Sequence, residues 1–175
     1  VAIGADGMAE LPGRHGAAGP APVELLPAEV AGADLKRSTG QEVSDSTSLA
    51  LGLSADDLLT STLLVPKGDH VFIGGAAVTG KSTALRRIVA AWAAVHPGGQ
   101  IVEVDRRTAL TVDDVAGWTA PTLVVIDDAE RVDDPLGVIA GLVNDPPVGV
   151  MVIAAARLDA VRSAYGHWTR EVARS

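Results

Sequence analysis

The octad Gly75-Ala76-Ala77-Val78-Thr79-Gly80-Lys81-Ser82 constrains this chain more than any other feature. It satisfies the spacing G-x-x-x-x-G-K-[ST] between an apolar run, HVFIGG (70–75), and a run with Leu85, Ile88, Val89, Trp92 and Val95 at helical spacing. A strand that turns through glycines into an amphipathic helix has few packing solutions. The strand needs a sheet, and the helix needs a face of that sheet to cover. The turn also aims backbone N–H groups and the positive end of a helix at one point, which suits a polyphosphate. Lys81 would reach the outer phosphates, Ser82 would ligate Mg²⁺, and Gly80 lets the backbone come close. The expected cofactors are therefore ATP and Mg²⁺, cradled by Gly75, Ala76, Ala77, Val78, Thr79, Gly80, Lys81, Ser82 and Thr83. Val78 stands where many such loops carry glycine. A β-branched residue resists φ > 0, so either φ is negative there or the loop is strained.

The remaining pattern alternates strands with helices. LALGL (49–53) and STLLVP (61–66) read as two strands around a polar turn with Ser54, Asp56 and Asp57. IVEVD (101–105), TLVVID (122–127) and GVMVIAAA (149–156) are further strands, the last two continuous enough to be buried on both faces. Helices are expected over 81–95, 112–118, from a cap at Asp133 or Asp134 with Pro135 to Val143, over 158–163 and over 165–174. This predicts an α/β three-layer sandwich with a mostly parallel sheet. Residues 1–48 differ: Gly4, Gly7, Gly13, Gly16, Gly19, Gly32 and Gly40 mix with Pro12, Pro20, Pro22 and Pro27. They read as a linker or the β-hairpin tail of a preceding domain, with VELL (23–26) as a short strand and 36–48 as a polar linker. The ATPase domain is expected over 49–175. Because the chain stops within an expected helix, the sheet is expected to lack a further strand.

Composition narrows the function classes. The 175 residues are 47% hydrophobic but only 3% aromatic, so the core must be aliphatic. The net charge of −8 argues against a generic nucleic-acid binder. There is no Cys, which removes disulfides and thiolate zinc sites. No apolar run approaches the ~18 residues of a membrane span.

Other chemistry-bearing residues cluster late in the chain. Asp127 ends the 122–127 strand, where an acid would orient Mg²⁺ through water. Asp128 follows where many such ATPases place a glutamate to polarise the attacking water. It is one methylene shorter, and a displacement of ~1 Å can cost on the order of 10²-fold in rate. Glu130 is a possible substitute but is expected to point away. Ala154, Ala155 and Ala156 occupy the end of the last strand, where translocase ATPases often place a polar sensor; their side chains cannot bond a phosphate. Arg157 reads either as a lone surface arginine or as a cation for the site. Arg86-Arg87 and Arg106-Arg107 read as solvated faces. His15, His70, His96 and His167 lack metal-ligand spacing. Neither Ser61 nor Ser163 has a nucleophile-elbow setting.

LALGL with its following strand, HVFIGG before the loop, VVIDDAERVDD (124–134) and YGHWTREVARS (165–175) together resemble the FtsK/SpoIIIE superfamily of ring-forming ATPases. More narrowly they are similar to the actinobacterial EccC-type ATPases of type VII secretion, over roughly 49–175. GRHGAAGPAPVELLPAEV (13–30) resembles the closing hairpin of a preceding domain in such an array. The resemblance implies a RecA/FtsK-like P-loop NTPase fold, and a late, degenerate ATPase domain on the cytoplasmic face of a membrane-anchored protein. It would bind ATP·Mg with weak or no hydrolysis. Its implied partners are neighbouring ATPase domains, a secreted WXG-type substrate and other subunits of a ring. Asp128 in place of glutamate and Ala156 in place of glutamine are departures that put hydrolysis in doubt. Two alternatives remain open: an active translocase with Asp128 as catalytic acid, and a signalling regulator NTPase.

Overall fold

The computed structural model describes residues 45–119 and 121–174, together with Pro27, residues 29–31 and Leu35. The expected strand at 23–26, most of the linker and His15 lie outside the described residues.

An antiparallel hairpin comes first, β1 (Ser46–Leu53) and β2 (Thr60–Pro66). Then follow β3 (Val71–Gly75), α1 (Lys81–Val95), β4 (Gln100–Val104), α2 (Val112–Ala116) and β5 (Thr122–Ile126). A short 3-10 helix (Ala129–Arg131), α3 (Val138–Asn144), β6 (Val150–Arg157), α4 (Leu158–Ser163) and α5 (Thr169–Val172) complete the order. β3, β6, β5 and β4 lie side by side in that order, all parallel. The expected α/β sandwich with a parallel sheet is what the chain forms.

Burial explains the sequence pattern. All five residues of β5 are buried, as are seven of the eight in β6, because helices cover both faces. On one face α1 and the hairpin pack Leu49, Val65, Leu85, Ile88 and Trp92 against Leu123, Ile153 and Ala155. On the other, α3, α4 and α5 pack Ile139, Leu142, Val161, Trp168 and Val172 against Val124, Ile126, Ala154 and Ala156. The three alanines of β6 are fully buried in the central region of the sheet. Their small size lets the layers on both sides come close.

Two details differ from expectation. α3 does not start at Pro135: Gly137, at φ +68°, turns the chain so that the helix begins at Val138. Asp134 still serves it from outside, its Oδ2 accepting the Ala140 N–H at 2.8 Å. The expected helix over 165–174 is shorter, Thr169–Val172, because positive φ at Gly166 breaks the chain before it. His70 fills a gap in the ladder. It sits one residue before β3, and its Nδ1 accepts the Val152 N–H at 3.1 Å where no strand partner has yet begun.

Candidate functional site

The loop between β3 and α1 lies at the carboxyl end of the sheet. α1, which leaves β3, covers one face, while α4, which leaves β6, covers the other. The crevice between β3 and β6 is thus a topological switch point, the place where open α/β sheets bind ligands.

Local geometry shows why the loop needs its residue types. A Cβ on Gly75 would stand 2.6 Å from Thr79 Oγ1. Gly80 has φ +85° and no side chain caps α1 there, nor is there an acid in its first turn. The orphan N–H groups of the helix start are left to an external acceptor. Lys81 Nζ and Thr79 Oγ1 both donate to the Ala76 carbonyl, at 2.7 and 2.9 Å, so the loop closes on itself. Of the two conformations open to Val78, it has the strained one: φ is +59° with the side chain fully exposed. A left-handed L-residue costs roughly 1–2 kcal/mol.

Two clefts flank the loop. The larger, about 600 Å³, runs between α1, β4 and β5 and brings Ser82 and Asp127 to one surface with Arg86, Glu103, Asp105 and Thr108. The smaller, about 300 Å³, is lined by Gly75, Ala76, Ala77, Arg157, Leu158 and Asp159. The acids enter from β4 and β5, and the arginine from β6, whose Arg157 is in register with Gly75.

Asp127 and Ser82 share the larger cleft, as two groups on one Mg²⁺ should. Among the described residues no group of three His or acidic side chains could hold a metal unaided, so the phosphates would have to supply the remaining oxygens. Asp128, the next candidate, is exposed. It has φ +50°, its N–H donates to Asp127 Oδ1 at 3.0 Å, and its carboxylate lies 3.4 Å from Arg131. The Glu130 side chain, 7% exposed, is directed at Arg157, with Oε1 3.7 Å from Nε. Arg157 is therefore not a lone surface arginine; Asp159 Oδ1 also lies 3.5 Å from its Nε.

Other residues depart from their sequence reading. Arg87 is not a solvated cation. It is half-buried and donates to the carbonyls of Ala50 and Leu51 in β1. His70 is buried, and that burial pushes its pKa below the usual histidine value. His96 is lowered by burial too, against Trp92 at 4.6 Å between ring centres. Asp105 is held below the usual carboxylate range by the Arg107 N–H, then by the Thr108 hydroxyl. Glu103, Asp105, Thr108 and Arg86 were not singled out as site residues from sequence. The signal available for two of them was D-R-R-T directly after a strand, an Asx-turn pattern at the sheet's functional end.

A phosphate loop between a parallel strand and a helix, at a switch point and with an acid on a non-adjacent strand, defines a P-loop NTPase domain. Residues 52–167 match the family of novel STAND NTPase 5, and the chain belongs to that family. No curated protein matches it in sequence. In fold it is similar to a structure described as an ATPase, at 17% identity and TM-score 0.55, covering 72% of this chain and 70% of that one. It is also similar to EssC (ATPases 2 and 3) from Geobacillus thermodenitrificans, at 14% identity and TM-score 0.59, covering 86% of this chain. The cytoplasmic domain of EssC gives 14% identity and TM-score 0.58, again over 86% of this chain. This chain spans 36% and 39% of those two EssC chains. At such identities the likeness is one of fold.

Proposed function

We propose that this chain binds ATP with Mg²⁺ at residues 75–83 and uses the bound nucleotide as a state signal, with weak or no hydrolysis. The observation that carries this reading is the contrast within one site. The loop is equipped for phosphate, while both carboxylates after Asp127 are engaged elsewhere, Asp128 beside Arg131 and Glu130 against Arg157. Ser82 would ligate the cation directly and Asp127 through water. When bound, Mg²⁺ would neutralise phosphate charge. Lys81 would exchange the Ala76 carbonyl for a phosphate oxygen, and Arg157 would meet the phosphates from the smaller cleft. Of the roles left open by the sequence, the signalling regulator NTPase is the one that membership of a STAND NTPase family favours.

A second reading keeps the type VII secretion role. It is supported by the fold likeness to EssC and by the EccC-like phrases in the sequence. It would make neighbouring ATPase domains of the same protein, a ring of subunits and a WXG-type substrate the partners, at the cytoplasmic face of the membrane. Among the described residues no helix is long and apolar enough to cross a membrane. Binding of a substrate's C-terminal peptide would favour this reading.

The test is nucleotide binding and turnover on one preparation. Labelled ATP is titrated with Mg²⁺, Lys81→Ala serves as the blank, and phosphate release is followed. Lys81-dependent binding with negligible turnover is expected. Turnover that disappears in Asp128→Asn would overturn the reading and make the domain a motor.

A further inference from the structure

Glu130 has a buried, ionisable side chain that binding and phosphate chemistry leave unused. It comes from the 3-10 helix directly behind Asp127 and Asp128. Its side chain is 7% exposed, whereas its partner Arg157 is 42% exposed and reaches the cleft beside the loop. Oε2 accepts the Arg157 backbone N–H at 3.3 Å. Oε1 lies 3.7 Å from Arg157 Nε, and among the described residues neither atom has a hydrogen-bond partner. Asp159 Oδ1 lies 3.5 Å from the same Nε. Two carboxylates thus hold the guanidinium by charge at the same nitrogen, which no hydrogen bond among the described residues locks. Arg157 stands where β6 is in register with Gly75, the first residue of the phosphate loop.

A buried carboxylate that loses its cation is left as an uncompensated charge, which is costly. Any movement of Arg157 toward a phosphate must therefore be weighed against Glu130. ATP carries one phosphate more than ADP, and with it the greater pull on a cation at the loop's rim. We propose that Glu130 is a positioning residue that sets the nucleotide preference of this site. Its charge retains Arg157 against β6 and competes with the terminal phosphate for it, so that Arg157 engages ATP and not ADP. The inference rests on the reading of the loop as a nucleotide site.

The experiment measures ATP and ADP dissociation constants for the full chain, with Mg²⁺, in four forms: parent, Glu130→Gln, Arg157→Gln and the double variant. Glutamine keeps the shape of Glu130 and can still accept the Arg157 N–H. It removes only the charge that competes for the guanidinium. Glu130→Gln should lower the ATP-over-ADP preference by about tenfold, by tightening ADP as the released Arg157 engages it too, within the usual range of site coupling. Arg157→Gln should lower that preference too, but by weakening ATP, and adding Glu130→Gln to it should change nothing further. A merely structural Glu130 would lower the unfolding midpoint and shift both nucleotides alike; that result overturns the proposal. So does an Arg157→Gln variant with the parent's preference, which decides the matter even if Glu130→Gln fails to fold. If the parent binds neither nucleotide in a Lys81-dependent way, the reading of the loop falls and this inference with it. If the parent binds and the ratio does not move, the inference alone falls.

Discussion

Arg87→Met should loosen the hairpin from α1 without touching the phosphate loop. The pairing of β1 with β2 skips Leu51: Ala50 faces Thr62 and Gly52 faces Ser61, so Leu51 is the extra residue of a bulge. A bulge leaves ladder carbonyls unpaired, and Arg87 reaches two of them, donating from Nε to Leu51 O at 2.9 Å and from Nη2 to Ala50 O. Both are charge-assisted bonds from a half-buried side chain to carbonyls of the packed hairpin. Hydrogen bonds to charged groups contribute about 1.5–3 kcal/mol each, and the two here share one guanidinium. Methionine keeps the apolar stem between α1 and the hairpin, so the expected loss is about 2–4 kcal/mol in all. At roughly 2–4 °C per kcal/mol for a domain of this size, the melting temperature should drop by about 5–15 °C. Hydrogen exchange should locate the loss in β1 and β2, with β5 and β6 far less affected. Arg87→Lys, which keeps the charge but not the fork, should fall between the two. An unchanged melting temperature and unchanged hairpin exchange would refute the argument and return Arg87 to a solvated face.

Three further outcomes follow from single observations. Because burial lowers the His70 pKa in the folded chain, the unfolded chain binds more protons as pH falls below about 6.5. Stability should therefore be fully present above that pH and decline below it, and His70→Gln should flatten the slope in urea titrations between about pH 8 and 5. Gly75→Ala should weaken ATP binding by an order of magnitude or more, since its Cβ would press on the Thr79 hydroxyl 2.6 Å away. Titration of labelled ATP checks it. Val78→Gly should relieve a left-handed valine and leave the folded chain as stable or up to ~1 kcal/mol more stable, read by chemical denaturation.

What the sequence made legible was whatever repeats along one element. β5 and β6 are covered on both faces, so their runs are apolar throughout. α1 is covered on one side, so its apolar residues recur at helical spacing. The loop was legible because a backbone that must approach a ligand leaves glycines at fixed places, and here Gly75 and Gly80 are demanded by space and by φ. Pairings between distant segments were not legible. Arg87 meets β1 across 36 and 37 positions, and Glu130 meets Arg157 across 27. Each residue, read alone, has the ordinary profile of a solvated charge. The start of α3 was misplaced for a local reason: Pro135 fits the first turn of a helix, but Gly137 defers the helix and leaves Asp134 to act from outside.

The 3-10 helix that carries Glu130 also touches the far layer of the fold. It is followed by Val132, whose carbonyl accepts the indole N–H of Trp168 at 2.8 Å. Trp168 is 4% exposed and stands at the start of α5. β6 itself offers no such freedom, since its alanines are fully buried between two packed layers. A change at Arg157 would therefore be passed on by the segment 129–132 rather than by the sheet. Trp168 is its natural reporter, because indole emission responds to the loss or lengthening of that bond. ATP with Mg²⁺ should alter the intrinsic fluorescence of the chain more than ADP does. Most of that difference should vanish in Trp168→Phe, while Trp92→Phe keeps it. Trp92 packs on the opposite face of the sheet, against the hairpin and away from the 3-10 helix. A nucleotide-dependent change that survives Trp168→Phe intact would show that the signal leaves the site by another path.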